Sequence, residues 1–156
     1  MDELKMELKP IGWVKNPVTE KPADGFNWRQ IMSEIVIDPS LAEGLDGLSD
    51  FSHIMVYWWM HKAVDKSKMA LKVFPRGRKE LPPVGVFASR SPYRPNSLGR
   101  ATVKLIERRG NSLIVQGLDA IDGTPVLDIK PFIPGYDSPD EGVHAPEWAT
   151  HHQSKG

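Results

Sequence analysis

The segment Ser89 to Gly99, SRSPYRPNSLG, crowds two arginines, a tyrosine and an asparagine around two prolines. Pro92 and Pro95 fix their own φ and bias Ser91 and Arg94 toward extended conformations. The backbone is thereby shaped to hold Arg90, Tyr93, Arg94 and Asn96 in set directions. A turn that only joins two strands needs no such stiffening. A rigid loop of donor side chains reads as a binding loop.

Other chemistries are poorly served. There is no cysteine, no G-x-S-x-G and no serine in a Ser/His/Asp setting, so nucleophilic catalysis has no candidate. Neither G-x-G-x-x-G nor G-x-x-x-x-G-K-[ST] occurs, so the usual phosphate-cradling loops are missing. His53 and His61, eight residues apart on one expected strand, would lie roughly 26 Å apart at a rise of ~3.3 Å per residue and cannot share a metal ion. His151 and His152 fall in a polar tail, where solvated histidines are expected. No metal site is predicted.

The elements that must position the loop read as strands. VGVFA before it and ATVKLIE after it carry apolar or alternating patterns. In LKPIGWVK, Ile11 and Trp13 share one face, and in IMSEIVI, Ile31, Ile35 and Ile37 share another. The long NPVTEKPADGFNWRQ between them is a loop suspected of function. DPSLAEGLDGL predicts a short helix, with Asp38 as N-cap and Pro39 at the first helical position. FSHIMVYWWM reads as a strand buried on both faces. TVKLIER and SLIVQGL flank Arg109-Gly110-Asn111 and form a hairpin. A second turn, Asp122-Gly123-Thr124, leads into PVLDIK, where Val126, Asp128 and Lys130 alternate with Leu127 and Ile129. Frequent strands, Gly/Pro turns, long loops and one short helix predict an all-β chain, a barrel or a sandwich.

The bulk numbers bound the answer. The 156 residues suit one domain of ordinary size, expected over 1–138, with residues 139–156 as a polar tail or interface arm. Lysines and arginines number 20 and acidic residues 20, with a pI near 7, so global charge gives no argument for nucleic acid. That reading has to rest on a local patch. The lack of cysteine, the charged N-terminus and the lack of an apolar run near ~20 residues predict a soluble, cytoplasmic protein without a membrane span.

Three stretches in order carry a resemblance: FSHIMVYWWMHK, GVFASRSPYRPN and GLDAIDGTPVLDIKPF. Together they resemble the TsaA-like family, also called TrmO, from IGWVKNP to KPFIPGYDS. The resemblance implies a small β-barrel enzyme, dimeric, that uses S-adenosylmethionine to methylate N6 of a modified adenosine beside the anticodon of certain tRNAs. Larger members carry a further C-terminal domain, which is not expected within these 156 residues.

Carried over by position, the resemblance places His61, Lys62, Arg90, Gly117, Leu118 and Asp119 around the cofactor. It adds Arg100, where the family usually has an apolar residue, and Phe26 and Asn27 from the long loop. Arg90 suits the cofactor carboxylate through a paired fork, and Asp119 suits its amino group or ribose. The Tyr93 face suits the sulfonium. For proton removal from the adenosine the candidates are Asp128, read as a carboxylate on the buried face, and Tyr93. Arg94, Asn96 and Lys130 are the expected substrate-binding residues, suited to an anionic tRNA.

Plainer readings stand beside these. His53 is expected as a hydrogen-bonded core histidine, and Tyr57, Trp58 and Trp59 as core or dimer packing. Asp128 and Lys130 equally suit a structural ion pair on a barrel wall. Two other function classes stay open: a non-catalytic S-adenosylmethionine-binding sensor or adaptor, and an RNA-binding barrel without the cofactor.

Overall fold

The computed structural model describes residues 3–150 other than 24, 64 and 140. Its strands are β1 (Gly12–Lys15), β2 (Met32–Ile37), β3 (His53–Trp59), β4 (Lys72–Val73), β5 (Val84–Gly85), β6 (Leu98–Arg109), β7 (Ser112–Gln116) and β8 (Pro125–Pro131). Six of them close into an antiparallel barrel in the order β1-β2-β7-β6-β3-β8, and β4 with β5 forms a separate two-stranded sheet. Closure removes every exposed edge from the main sheet. The expected all-β barrel is the fold found.

The interior follows the period-two pattern. Val14, Ile35, Ile37, Ile54, Val56, Val103, Leu113, Val115 and Val126 are all buried to within a few per cent. Each such side chain contributes about 1.5–3 kcal/mol relative to exposure. Ser33 takes the inward place between Ile31 and Ile35 and accepts a hydrogen bond from the Asn16 amide at 3.0 Å.

The β6–β7 hairpin turns at Gly110 (φ +61°) and the turn before β8 at Gly123 (φ +82°), as the sequence indicates. Asp38 caps a 3-10 helix over Pro39–Leu45, its carboxylate accepting from the Ser40 N–H. Among the described residues the other helical pieces are short 3-10 turns and one α-helical turn, α1 (Glu147–Thr150).

Four local expectations fail for physical reasons. Trp13 does not share a core face with Ile11: it is 48% exposed, because Gly12 and Val14 are the inward positions of β1. A Cβ on Gly12 would lie 2.3 Å from the Val36 carbonyl oxygen, so the close β1–β2 approach needs glycine there. VGVFA is not one strand. Only Val84 and Gly85 pair, and Val86–Ala88 turn as a 3-10 helix once the Val86 N–H has bonded to Leu71 O. His53 is exposed rather than in the core, because the odd positions of β3 face outward; its Nδ1 lies 2.8 Å from Ser52 Oγ. For the same reason β3 is buried on both faces only in its middle, and Trp59 is 41% exposed.

The chain between β3 and β6 does not cross the barrel directly. It makes a long excursion that carries β4, β5 and the proline loop. No described helix is long and apolar enough to cross a membrane.

Candidate functional site

The excursion leaves β3 at the same barrel end where the turn after β7 and the loop after β1 converge. Trp58 forms the floor there. Its indole lies directly on the backbone of β6, where a Cβ on Gly99 would come within 2.2–2.6 Å of ring atoms. The chain then bends: the Met60 N–H bonds to Ser97 O at 2.8 Å, and His61–Ala63 form a 3-10 turn that brings His61 and Lys62 to the rim. Lys62 Nζ reaches Thr19 O at 3.4 Å across the opening.

The long loop after β1 supplies a second wall. Asn16 pins its start, donating to Ser33 Oγ and to Ala120 O while its own Oδ1 accepts from the Val18 N–H. At its far end Phe26 meets Trp28 edge-on, with ring centroids 5.1 Å apart. The Asn27 side chain accepts from the Arg29 N–H and caps the 3-10 turn between them. The third wall is Gly117-Leu118-Asp119. Gly117 takes φ +94° and bonds its N–H to Ile31 O, Leu118 is fully buried as an anchor, and Asp119 is left at the cleft.

The proline loop is stiffened by more than its prolines. Ser97 Oγ donates to Pro92 O at 2.6 Å, Ser91 Oγ accepts from the Tyr93 N–H, and Ser89 Oγ donates to Val86 O. Arg94 Nη1 donates inward to the carbonyls of Ser89 (2.9 Å) and Ser91 (3.2 Å). This guanidinium therefore staples the loop instead of leaving it as an outward donor. Pro92 and Tyr93 line the cleft as a result.

The cleft so built measures about 460 Å³, within the range of small-molecule sites. It brings together Phe26, His61, Lys62, Tyr93 and Asp119 of the predicted residues. Arg90 is exposed at its edge, close enough for its charge to act on Asp119. Crowding by the walls pushes the Asp119 carboxyl above the ordinary aspartate value, against the opposing pull of its own backbone N–H and of Arg90. By surface area the residue is nevertheless exposed. Both hold in an open cleft that excludes part of the surrounding water without covering the side chain.

Other predicted residues lie elsewhere. Asn96 is exposed on the loop outside the cleft lining. Arg100 lies along the outer wall, with Nη2 3.0 Å from Met55 Sδ and 3.5 Å from Thr102 Oγ1. Asp128 does not sit on a buried face. The β3–β8 pairing shifts register between Tyr57 and Trp58, so Val126 enters the core while Asp128 and Lys130 turn outward. Such a bulge reverses the inward side partway along a strand, which simple alternation cannot show. Asp128 and Lys130 are 3.9 Å apart and each more than half exposed, as in the plainer reading of a wall ion pair.

The sequence reading missed Lys21, Pro22, Trp28, Met60 and Ile121 as lining residues, and treated Trp58 as packing only. The one available signal was the length of the loop after β1. Among the described residues no three His, Asp or Glu side chains converge as a metal site. His151 and His152 lie outside the described residues.

Comparison with known proteins agrees with this architecture. Residues 15–138 match the family described as the tRNA-methyltransferase O N-terminal domain. A probable S-adenosyl-L-methionine-binding protein of Methanothermobacter thermautotrophicus is 41% identical over 88% of this chain and 98% of its own length. A tRNA (adenine(37)-N6)-methyltransferase of Mus musculus is 45% identical over 64% of this chain, but that stretch is only 23% of the mouse protein. A crystal structure of TrmO superposes with a TM-score of 0.72 and 31% identity, covering 90% of this chain and 64% of that one. The chain thus spans less than two thirds of that solved protein. On the matched barrel and its order of motifs, the chain belongs to the family of the tRNA-methyltransferase O N-terminal domain.

Proposed function

We propose that the cleft binds S-adenosylmethionine and that the protein methylates N6 of a modified adenosine next to a tRNA anticodon. The observation that carries the reading is the cleft itself. Within one family barrel it joins aromatic faces (Phe26, Trp28, Tyr93), a carboxylate (Asp119) and, at its edge, an arginine without an ion-pair partner among the described residues (Arg90). That donor set fits the ligand. Arg90 would hold its carboxylate, Asp119 would accept from its amino group or ribose, and the rings would face its adenine and its sulfonium.

When bound, the ligand supplies an electrophilic methyl group on a cationic sulfur. The chain's own contribution is positioning. The stapled proline loop and the Trp58 floor fix Tyr93 and Pro92, and a held near-attack arrangement accounts for several kcal/mol of barrier. The N6 nitrogen must also lose a proton. His61, Tyr93 and Asp119 line the cleft and are of types that can take part, whereas Asp128 of the same chain is not among its lining residues.

We further propose a cytoplasmic homodimer in which residues 1–138 form the barrel and 139–156 an arm. Trp59 and Leu98, register partners on the outer wall, are 41% and 50% exposed, which suits burial between subunits.

The test is to incubate the protein with labelled S-adenosylmethionine and total tRNA, digest, and identify the labelled nucleoside; an N6-methylated adenosine derivative is expected. Binding without transfer would favour the sensor reading. In calorimetry, Arg90→Ala should weaken ligand binding about 10–100-fold, the loss of a charge-assisted fork. Unchanged affinity would remove Arg90 from the site.

A further inference from the structure

The chain is neutral overall, but its charge is not evenly spread. From Lys62 through Arg90, both included, there are eight lysines and arginines against two acidic residues, leaving twelve against eighteen for the rest. The two acids offset two of the eight cations and leave a net excess of six. Asp65 accepts from the backbone N–H and hydroxyl of Ser67, and Glu80 pairs with Arg78. Lys68, Lys72, Arg76 and Lys79 are exposed and have no ion-pair partner among the described residues.

This stretch is one compact excursion. Lys72 and Val73 pair with Gly85 and Val84, and the Val86 N–H bonds to Leu71 O at 2.8 Å. The turn between runs through short bonds at Gly77, Arg78 and Leu81. The excursion is also tied to the cleft, because the Ala70 N–H donates to the carbonyl of Tyr93 at 3.2 Å. It exposes large apolar side chains beside its cations: Phe87 is 76% exposed, Leu71 66% and Phe74 42%. Phe87 stands three residues before Arg90.

Unpaired cations with exposed aromatics are the composition that holds RNA, phosphates on the lysines and an unstacked base on a ring. We infer that the β4–β5 excursion is the RNA-docking platform of this protein, gripping the backbone beside the target loop while Phe87 stacks on a neighbouring unpaired base. The inference rests on the tRNA reading above and adds to it where the RNA is held.

The experiment compares the full chain with a Lys68→Gln/Lys72→Gln/Lys79→Gln variant and, separately, with Phe87→Ala. Binding to total tRNA is measured across a salt series, S-adenosylmethionine binding by calorimetry, and methyl transfer on the same samples. Each lost phosphate contact lowers the salt slope by about one. The triple variant should show a slope shallower by about two to three and affinity at least tenfold weaker at moderate salt, with S-adenosylmethionine binding unchanged. Phe87→Ala should weaken binding about tenfold at an unchanged slope.

Wild-type tRNA affinity and slope in the triple variant would overturn the platform and leave the methyltransferase reading intact, as would methyl transfer by wild type without the platform's salt signature. Phe87→Ala that binds like wild type would remove the stacking role. Binding through these lysines with no transferred methyl would keep the platform and sink the methyltransferase reading.

Discussion

The barrel opens into a cleft at each end of β3, and the larger one is the wrong one for this chemistry. The far cleft, about 790 Å³, lies between the Pro39–Leu45 helix, Phe51 and the end of β8. Its walls are aliphatic (Ile11, Ile37, Leu41, Leu48), and its charged lining is acidic: Glu43, Asp46 and Asp128. An anionic cofactor group or a phosphate would find no cation in that lining. The near cleft is smaller but combines rings, a carboxylate and a cationic rim. Size alone does not mark a site; convergent polar groups of the right sign do.

Glycines at the two ends meet opposite surroundings, a ring against Gly99 and open space around Gly44. Gly99→Ala places a methyl within 2.2–2.6 Å of Trp58 ring atoms, so the ring or the β6 backbone must shift. Overpacking of this kind costs about 1–3 kcal/mol. Gly44 belongs to the far-end helix and has open space around its missing Cβ, so Gly44→Ala should change stability by less than about 0.5 kcal/mol. Denaturant melts of both variants check the contrast. Equal, small effects would mean that the Trp58–Gly99 contact does not define the near end.

How much of this was legible in the residues depends on which kind of signal carried it. The barrel was, because period two and Gly turns are local. The proline loop was as well, since Pro92 and Pro95 act on their own neighbours. What failed was anything set by register. Alternation puts Val126, Asp128 and Lys130 on one face, and the register shift at Tyr57/Trp58 separates them, Val126 inward and Asp128 outward. Trp13 carries an apolar signal, yet Gly12 and Val14 hold the inward places of β1, and β2 passes too close to Gly12 for a side chain. Arg94 has the chemistry of an outward donor to anions. Its partners are carbonyls five and three residues back along the same loop, and no motif announces them.

Each end in fact has a stapling arginine. Arg108 at the far end donates to Gly110 O, to Ala42 O and to the Asp46 carboxylate at 2.7 Å. Arg94→Ala and Arg108→Ala should each lower stability by about 1–3 kcal/mol, since each strips bonds from a charged donor. Only Arg94→Ala should also weaken S-adenosylmethionine binding, by loosening Tyr93 and Pro92. Arg94→Lys, which keeps one point donor, should recover part of both losses. An Arg94→Ala protein that melts like wild type and binds the ligand normally but no longer transfers methyl would restore the outward, substrate-facing role.

The smallest expected effect separates the ends by sign. At the far end, the Ser40 backbone N–H and hydroxyl hold the Asp38 carboxyl below the ordinary aspartate value. That depressed group adds stability above the ordinary range and loses it as pH falls through the folded value. Asp119 runs the other way. Its folded value is raised by crowding, so the native state binds more protons than the unfolded chain between the ordinary aspartate value and the folded one. Stability therefore falls as pH rises through that window and stays lower above it. Without ligand, Asp119→Asn should melt slightly higher than wild type near neutrality, with the gap closing as pH drops to the ordinary aspartate range. Asp38→Ala should melt lower near neutrality, with its deficit shrinking on acidification. If Asp119 is kept for ligand rather than for the fold, the asparagine variant that melts higher must also bind S-adenosylmethionine more weakly. A melting point below wild type near neutrality would instead make Asp119 a structural carboxylate like Asp38, and the near end would lose its acceptor.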